Sequence, residues 1–279
     1  MKVRIITGIV GLFVMTIVLR FFTTIVFNIA IMLLAAIGVW ELFKATGIIK
    51  NKLMTAAGMI LPICIPFVPH TKIEDFLTLI VMPYIGLMFV ILLKTHDIST
   101  VEHLAMTVLF SLVVPVAFST SIYMREVHGW SGGIFYMLLG LGGAWLSDTG
   151  AYFSGYFFGK HKLAPIISPK KTVEGAIGGI ITCILGTLLF AHVFAWYWTN
   201  TLGLSPQINY GYVFVLSTVA SVAGIIGDLS ASVIKRAHNV KDYGNLMPGH
   251  GGVMDRFDSV LFTMPLVYML SLNTPIIQF

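Results

Sequence analysis

The sequence predicts an all-α, polytopic integral membrane protein, and three observations predict it. Hydrophobic residues make up 57% of the 279, and only 10% are charged. A soluble domain is nearer about 45–50% apolar, and the mean hydropathy here is +0.91. Apolar runs of roughly 20 residues, the length a helix needs to cross a bilayer, recur along most of the chain. The cations are also distributed unevenly between alternate loops.

Taken in order, the apolar runs fall at about 4–20, 23–43, 53–69, 76–93, 104–123, 131–158, 175–197, 210–229 and 257–273, which gives about nine transmembrane helices. The first run follows Met1-Lys2-Val3-Arg4 and resembles a secretory signal. It lacks a small-residue cleavage site before Arg20, so it reads as a retained span. Pro62, Pro66 and Pro69 fall in the third run and predict a kinked or short segment. The sixth is long and carries Gly140, Gly142 and Gly143, so it either bends there or continues past the membrane face. Residues 1–130 read as scaffold spans without a dense polar cluster. Residues 131–279 read as the catalytic membrane region, with no separate soluble domain.

With the N-terminus inside and loops alternating, the inner side holds Lys2, Arg4, Lys44, Lys50, Lys52, Lys94, Lys160, Lys162, Lys170, Lys171, Lys235, Arg236, Lys241 and Arg256. The outer side holds Arg20, Lys72 and Arg125. This asymmetry puts the two charge-rich segments, 159–174 and 232–258, on the cytoplasmic side. The net charge of +5 then reflects loop bias and contact with anionic lipid, not nucleic acid. Cys64 and Cys183 lie in apolar runs and read as small buried side chains, giving neither a disulfide framework nor a metal box. His70, His96, His103, His128 and His192 are scattered, and no His/Cys pair has zinc-ligand spacing. Neither a phosphate-loop motif nor a nucleophile-elbow motif is present.

The chemistry is crowded after residue 147. Asp148 interrupts an apolar run and needs a partner. Ser147, Ala151, Gly155 and Gly159 form a small-residue stripe at four-residue spacing. Ser168-Pro169-Lys170-Lys171-Thr172 leads into a helix that Ser168 or Thr172, with Glu174, is placed to cap. Lys170 and Lys171 suit polyphosphate, although loop lysines also serve topology alone. On the eighth run, helical spacing puts Gly224, Asp228, Ser232 and Lys235 on one face. An aspartate there marks either a ligand site or a carboxylate that snorkels to the interface or pairs with Lys235. Ala220, Ala223, Gly224, Gly227 and Ala231 keep that helix thin, for close packing or for ligand access. The loop 241–254 has Pro248-Gly249 and Gly251-Gly252 turns, whose backbone N–H groups suit phosphate oxygens. Asp255 and Asp258 follow three apart, as carboxylates for Mg²⁺ or as a helix-capping cluster.

The segment Ser232 to Asp258 resembles the signature of the CDP-diglyceride synthases, also called phosphatidate cytidylyltransferases. The pattern S-x-x-K-R, K-D, H-G-G-x-x-D-R-x-D is met by Ser232, Lys235, Arg236, Lys241, Asp242, His250, Gly251, Gly252, Asp255, Arg256 and Asp258. Met247 departs from the usual Ile, Leu or Phe but conserves bulk. Asp148 and Ser168–Gly175 resemble the family's second region. The resemblance is detailed over 147–258 and general over 1–130.

The resemblance implies an all-helical membrane fold, often a homodimer, with a site facing the cytosol. It implies that CTP and phosphatidate give CDP-diacylglycerol and pyrophosphate, for phospholipid biosynthesis, with Mg²⁺ and room for a second cation. The family's metal aspartates carry over to Asp228 and Asp255, with Asp258 as a further ligand or a supporting carboxylate. Lys235, Arg236, Lys241 and Arg256 are then the cations that neutralise phosphates in catalysis. Lys170, Lys171, Thr172, Ser232, Asp242, His250, Gly251 and Gly252 are binding residues. Asp148 binds metal, orients a lysine or meets nucleotide. A phosphate nucleophile is already ionised, so this reaction asks for positioning and charge neutralisation rather than a general base. A CTP-dependent lipid kinase and a transporter are the rival readings.

Overall fold

The computed structural model describes residues 2–249, 251–273 and 276–278. The helices are α1 (Lys2–Arg20), α2 (Ile25–Ala45), α3 (Lys52–Gly58), α4 (Ile60–Cys64), α5 (Ile73–Lys94), α6 (Val101–Phe158), α7 (Val173–Leu202), α8 (Tyr210–Ala237), α9 (Met254–Phe257) and α10 (Val260–Asn273). Two small antiparallel ribbons complete the set: β1 (Lys162–Ala164) with β2 (Ser168–Thr172), and β3 (Gln207–Ile208) with β4 (Ile277–Gln278). This is an all-α membrane protein.

Among the described residues, five segments are long and apolar enough to cross a bilayer: Ile25–Ala45, His70–Lys94, Val101–Phe158, Val173–Leu202 and Tyr210–Ala237. Ile6–Arg20, Lys52–Phe67 and Val260–Asn273 are shorter apolar helical stretches. Nine apolar runs thus become eight apolar segments among the described residues, because the fifth and sixth runs share α6. At 1.5 Å per residue its 58 residues would stretch about 87 Å, against a hydrocarbon core of about 30 Å. Gly129 breaks the helix, with φ 70° and ψ −168°. Of the two alternatives for the sixth run, a bend at Gly140, Gly142 and Gly143 is not the one adopted, since the non-helical backbone falls at Gly129. Gly140 instead makes room for Met264 and Val267 of α10, and Gly143 for Cys183 and Thr187 of α7.

The third run is short pieces, α3, α4 and a 3₁₀ turn at Ile65–Phe67, as its prolines require. Cys183 is buried, but Cys64 is exposed, contrary to its reading as a buried side chain.

The chain forms two compact units, Met1–Val127 with Ala237–Phe257, and His128–Arg236 with Asp258–Phe279. In the first, Arg125 ties the α1–α2 turn down. Its Nη1 donates to Phe22 O at 2.8 Å and its Nη2 to Asn28 Oδ1 at 3.0 Å. Asn28 Nδ2 in turn donates to Pro66 O at 2.7 Å. Asn51 caps α3 by accepting Met54 N–H, and it donates to Thr95 and Ser99. The orphan groups at these helix ends are therefore satisfied inside the protein.

In the second unit the stripe Ser147, Ala151, Gly155 packs on the glycines of α7. A Cβ on Gly179 would lie 2.8 Å from Ser147 O, and one on Gly175 would lie 2.8 Å from Ala151 O. A Cβ on Gly178 would run into Ser154, and one on Gly150 into Thr182. The contact is therefore nearly backbone to backbone, the usual means of joining helices in lipid. On α8, Gly224 faces Thr263 and Ser259, while Gly227 faces Phe262 and the carbonyl of Asp258. The thinness of α8 is thus used for packing on α10 and the turn before it.

Gly179→Leu should lower the thermal unfolding temperature in detergent, with overpacking costing about 1–3 kcal/mol. Gly142→Ala, where a Cβ meets nothing within 4 Å, should not lower it and should raise it slightly through helix propensity.

Candidate functional site

The loop between α8 and α9 is held from two sides by carboxylates. Gly249 (φ 76°) and Gly251 (φ 87°) turn it back through conformations that L side chains rarely adopt. Met247 N–H closes the turn onto Gly251 O at 2.9 Å. Asp255, on α9, then reaches back, and its Oδ2 accepts Tyr243 N–H at 2.8 Å and Gly252 N–H at 3.0 Å. From α2, Glu41 accepts Val253 N–H at 3.1 Å and Met254 N–H at 2.9 Å. A helix of one turn cannot satisfy its own first donors, so carboxylates there are well placed.

What this leaves is an open cavity of about 340 Å³, lined by Lys241, Asp242, Asn245, Met247, Pro248, Gly249, Gly251 and Arg256. Two cations and one carboxylate therefore share a pocket floored by turn backbone. Lys241, Asp242 and Arg256 are all exposed. His250 lies outside the described residues.

The second unit gathers the other expected residues. Lys171 Nζ, on β2, lies 2.5 Å from Asp228 Oδ2 on α8. Both side chains are only partly exposed, at 25% and 28%, which favours the pair over a surface ion pair. The ribbon is fixed against α8 by Arg236, whose Nε donates to Ile167 O at 3.4 Å. Lys170 is exposed. Thr172 is the N-cap of α7, its hydroxyl accepting Gly175 N–H at 3.1 Å. Glu174 does not complete a capping box. Its carboxylate accepts the N–H groups of Lys160 and His161 and bonds the His161 ring at 2.6 Å.

Asp148, which had to have a partner, accepts the Ser259 hydroxyl at 3.1 Å. Ser232 is buried on α8. Asp258 precedes α10 and is 8% exposed. Burial, with repulsion from Asp228 and Asp148, pushes its carboxyl up to about 7, while Lys235 and the Ser259 N–H oppose the shift. Asp228, Asp258, Asp148, Lys171 and Lys235 therefore form one electrostatic cluster. Among the described residues, no three His, Cys, Asp or Glu side chains converge into a protein-only metal cage. The donors available are hard carboxylate oxygens that repel one another, which suits a hard divalent cation completed by water or phosphate.

Residues 2–273 match the model of the cytidylyltransferase family. The chain belongs to that family. It is 33% identical to a phosphatidate cytidylyltransferase of Bacillus subtilis (strain 168), over 97% of both chains. It is 34% identical to one of Staphylococcus epidermidis (strain ATCC 12228 / FDA PCI 1200), over 98% of this chain and 100% of that one. For one of Staphylococcus aureus (strain COL) the identity is 32%, with the same coverage. The family match thus extends over the N-terminal spans, where the sequence alone offered only a general likeness.

Sequence reasoning missed Glu41. A carboxylate inside an apolar run, in the second run as in the sixth, was the available signal.

A carboxyl held above its unfolded value keeps its proton to higher pH in the native state than in the unfolded chain. Its contribution is therefore present at low pH and lost as pH rises from about 4 to about 7. Asp258→Asn should flatten the decline in unfolding temperature over that range, measured in detergent without divalent cations. An unchanged slope would show that Asp258 is already ionised in the fold.

Proposed function

We propose that the chain is a phosphatidate cytidylyltransferase, transferring CMP from CTP to phosphatidate to give CDP-diacylglycerol and pyrophosphate. End-to-end likeness to relatives of that name carries the reading, and the chemistry of both residue clusters supports it. A phosphate oxygen of phosphatidate attacks the α-phosphorus of CTP, and the bond to the β-phosphate oxygen breaks. The nucleophile is already anionic, so no side chain has to remove a proton from it. The demand falls on holding polyanions together and on stabilising charge at the leaving pyrophosphate.

Lys241 and Arg256 line a cavity suited to a polyphosphate. Lys171, Lys235 and Arg236 offer positive charge around the carboxylates of the second unit. Asp228, Asp255 and Asp258 are the residues we assign to holding Mg²⁺. When bound, Mg²⁺ would supply charge neutralisation for the phosphates. Lys171 pairs with Asp228, and the repulsion Asp258 feels from Asp228 and Asp148 favours a cation there. Ser232, buried on α8, and Thr172, the N-cap of α7, complete the residues we assign to substrate binding.

The cation asymmetry supports a cytoplasmic orientation in the bacterial inner membrane, and the family resemblance supports a homodimer. A lipid kinase using CTP is the nearest rival, and its product would be CDP.

Purified protein should release pyrophosphate only when CTP, Mg²⁺ and phosphatidate are all present. Release of CDP in place of pyrophosphate would favour the kinase. Asp228→Asn and Asp255→Asn should each lower turnover by about a hundredfold or more, in protein that still inserts and purifies. Normal turnover in either would remove it from the metal assignment. Lys170→Ala with Lys171→Ala should raise KM for CTP or lower kcat, and no change in either would return both lysines to a topological role.

A further inference from the structure

Glu41 has no part in the reaction proposed above, yet it lies 5% exposed among apolar side chains of α2. Its Oε1 accepts Val253 N–H and its Oε2 accepts Met254 N–H. Glycine packing is a separate observation that points to the same place. A Cβ on either Gly244 or Gly252 would run into the Glu41 carboxylate. The loop is therefore wrapped around this side chain both before and after its turn. The same loop presents Lys241, Asn245, Gly251 and Arg256 to the cavity.

We propose that Glu41 is a positioning residue that presets the loop 241–256, fixing the backbone from which Lys241 and Arg256 meet a nucleotide polyphosphate. The identity of that ligand rests on the cytidylyltransferase reading; the clamp itself does not. The carboxylate acts at a distance from the phosphates. It gives two buried N–H groups their acceptors and excludes any side chain at positions 244 and 252. A loop fixed before binding loses less conformational freedom when the ligand arrives, so the gain appears as affinity.

The test compares wild type, Glu41→Gln, Glu41→Asp and Gly244→Ala, using hydrogen exchange of residues 241–257 and steady-state pyrophosphate release with CTP and phosphatidate. Gln keeps the shape but turns an NH₂ group toward one N–H donor. Exchange at Val253 and Met254 should then accelerate, and KM for CTP should rise about tenfold for the loss of one charge-assisted bond, with kcat little changed. Glu41→Asp keeps both acceptors and should recover part of the effect. Gly244→Ala displaces the carboxylate from the loop side and should reproduce the rise in KM; it decides the matter if Glu41→Gln does not fold. Unchanged exchange and KM in Glu41→Gln would overturn the proposal. So would a loss confined to the folded fraction, with wild-type KM in what remains. If wild type releases no pyrophosphate from CTP and phosphatidate, the reading of the reaction fails alone, and the exchange comparison still judges the clamp.

Discussion

A carboxylate among oily helices must be met by hydrogen-bond donors or by cations, and the polar architecture of this chain follows from that constraint. Leaving such a charge unpaired costs several kcal/mol. Glu41 and Asp255 meet the requirement with backbone, taking the N–H groups of Val253, Met254, Tyr243 and Gly252. Asp228 meets it with a lysine, and Asp148 with a hydroxyl. Each solution also fixes a piece of chain that would otherwise be an unstructured turn. The loop before α9 has almost no regular secondary structure, and its shape comes from two side chains that accept its donors.

The second unit reaches the same rigidity by a different route. Gly175, Gly178 and Gly179 let α6 and α7 approach until backbone carbonyls limit the contact. Thr172 caps α7 directly after Lys171 in the chain, so the cap that starts the helix also sets where that lysine leaves the ribbon. Arg236 reaches from the last turn of α8 to the carbonyl of Ile167, in the turn that joins the two strands. Lys171 and Asp228 are thus brought to 2.5 Å by elements fixed on both sides. Preorganisation of this kind is what charge-neutralising catalysis requires, because the groups need not rearrange when charge develops.

Much of this was legible in the sequence, for identifiable reasons. Apolar runs report helices because lipid leaves the backbone few alternatives, so α2, α5, α7 and α8 fall close to their expected places. The small residues of α8 announced close packing, and Asp148 announced a partner. The break in α6 was not legible. Three glycines at 140–143 marked the eye-catching place, but Gly140 and Gly143 make room for side chains of α10 and α7, whereas Gly129 takes the positive φ. A glycine's spacing shows that room is wanted, not whether backbone or a neighbour uses it. Glu41 was missed because its partners are main-chain groups more than two hundred residues away, and backbone donors carry no sequence signature.

The occupied donors also change how the glycine-rich loop has to work. A turn of this composition suggests a cradle of backbone N–H groups for phosphate. Here the N–H groups of Tyr243, Gly252, Val253 and Met254 are given to Asp255 and Glu41, and that of Met247 to Gly251. Gly252 and Gly244 are small because a carboxylate occupies the space beside them. The turn so fixed presents the exposed side chains of Lys241 and Arg256 to the cavity. The attraction of charge on exposed side chains is screened by salt. The turn supplies a fixed base for the two cations, held by the carboxylates that accept its N–H groups.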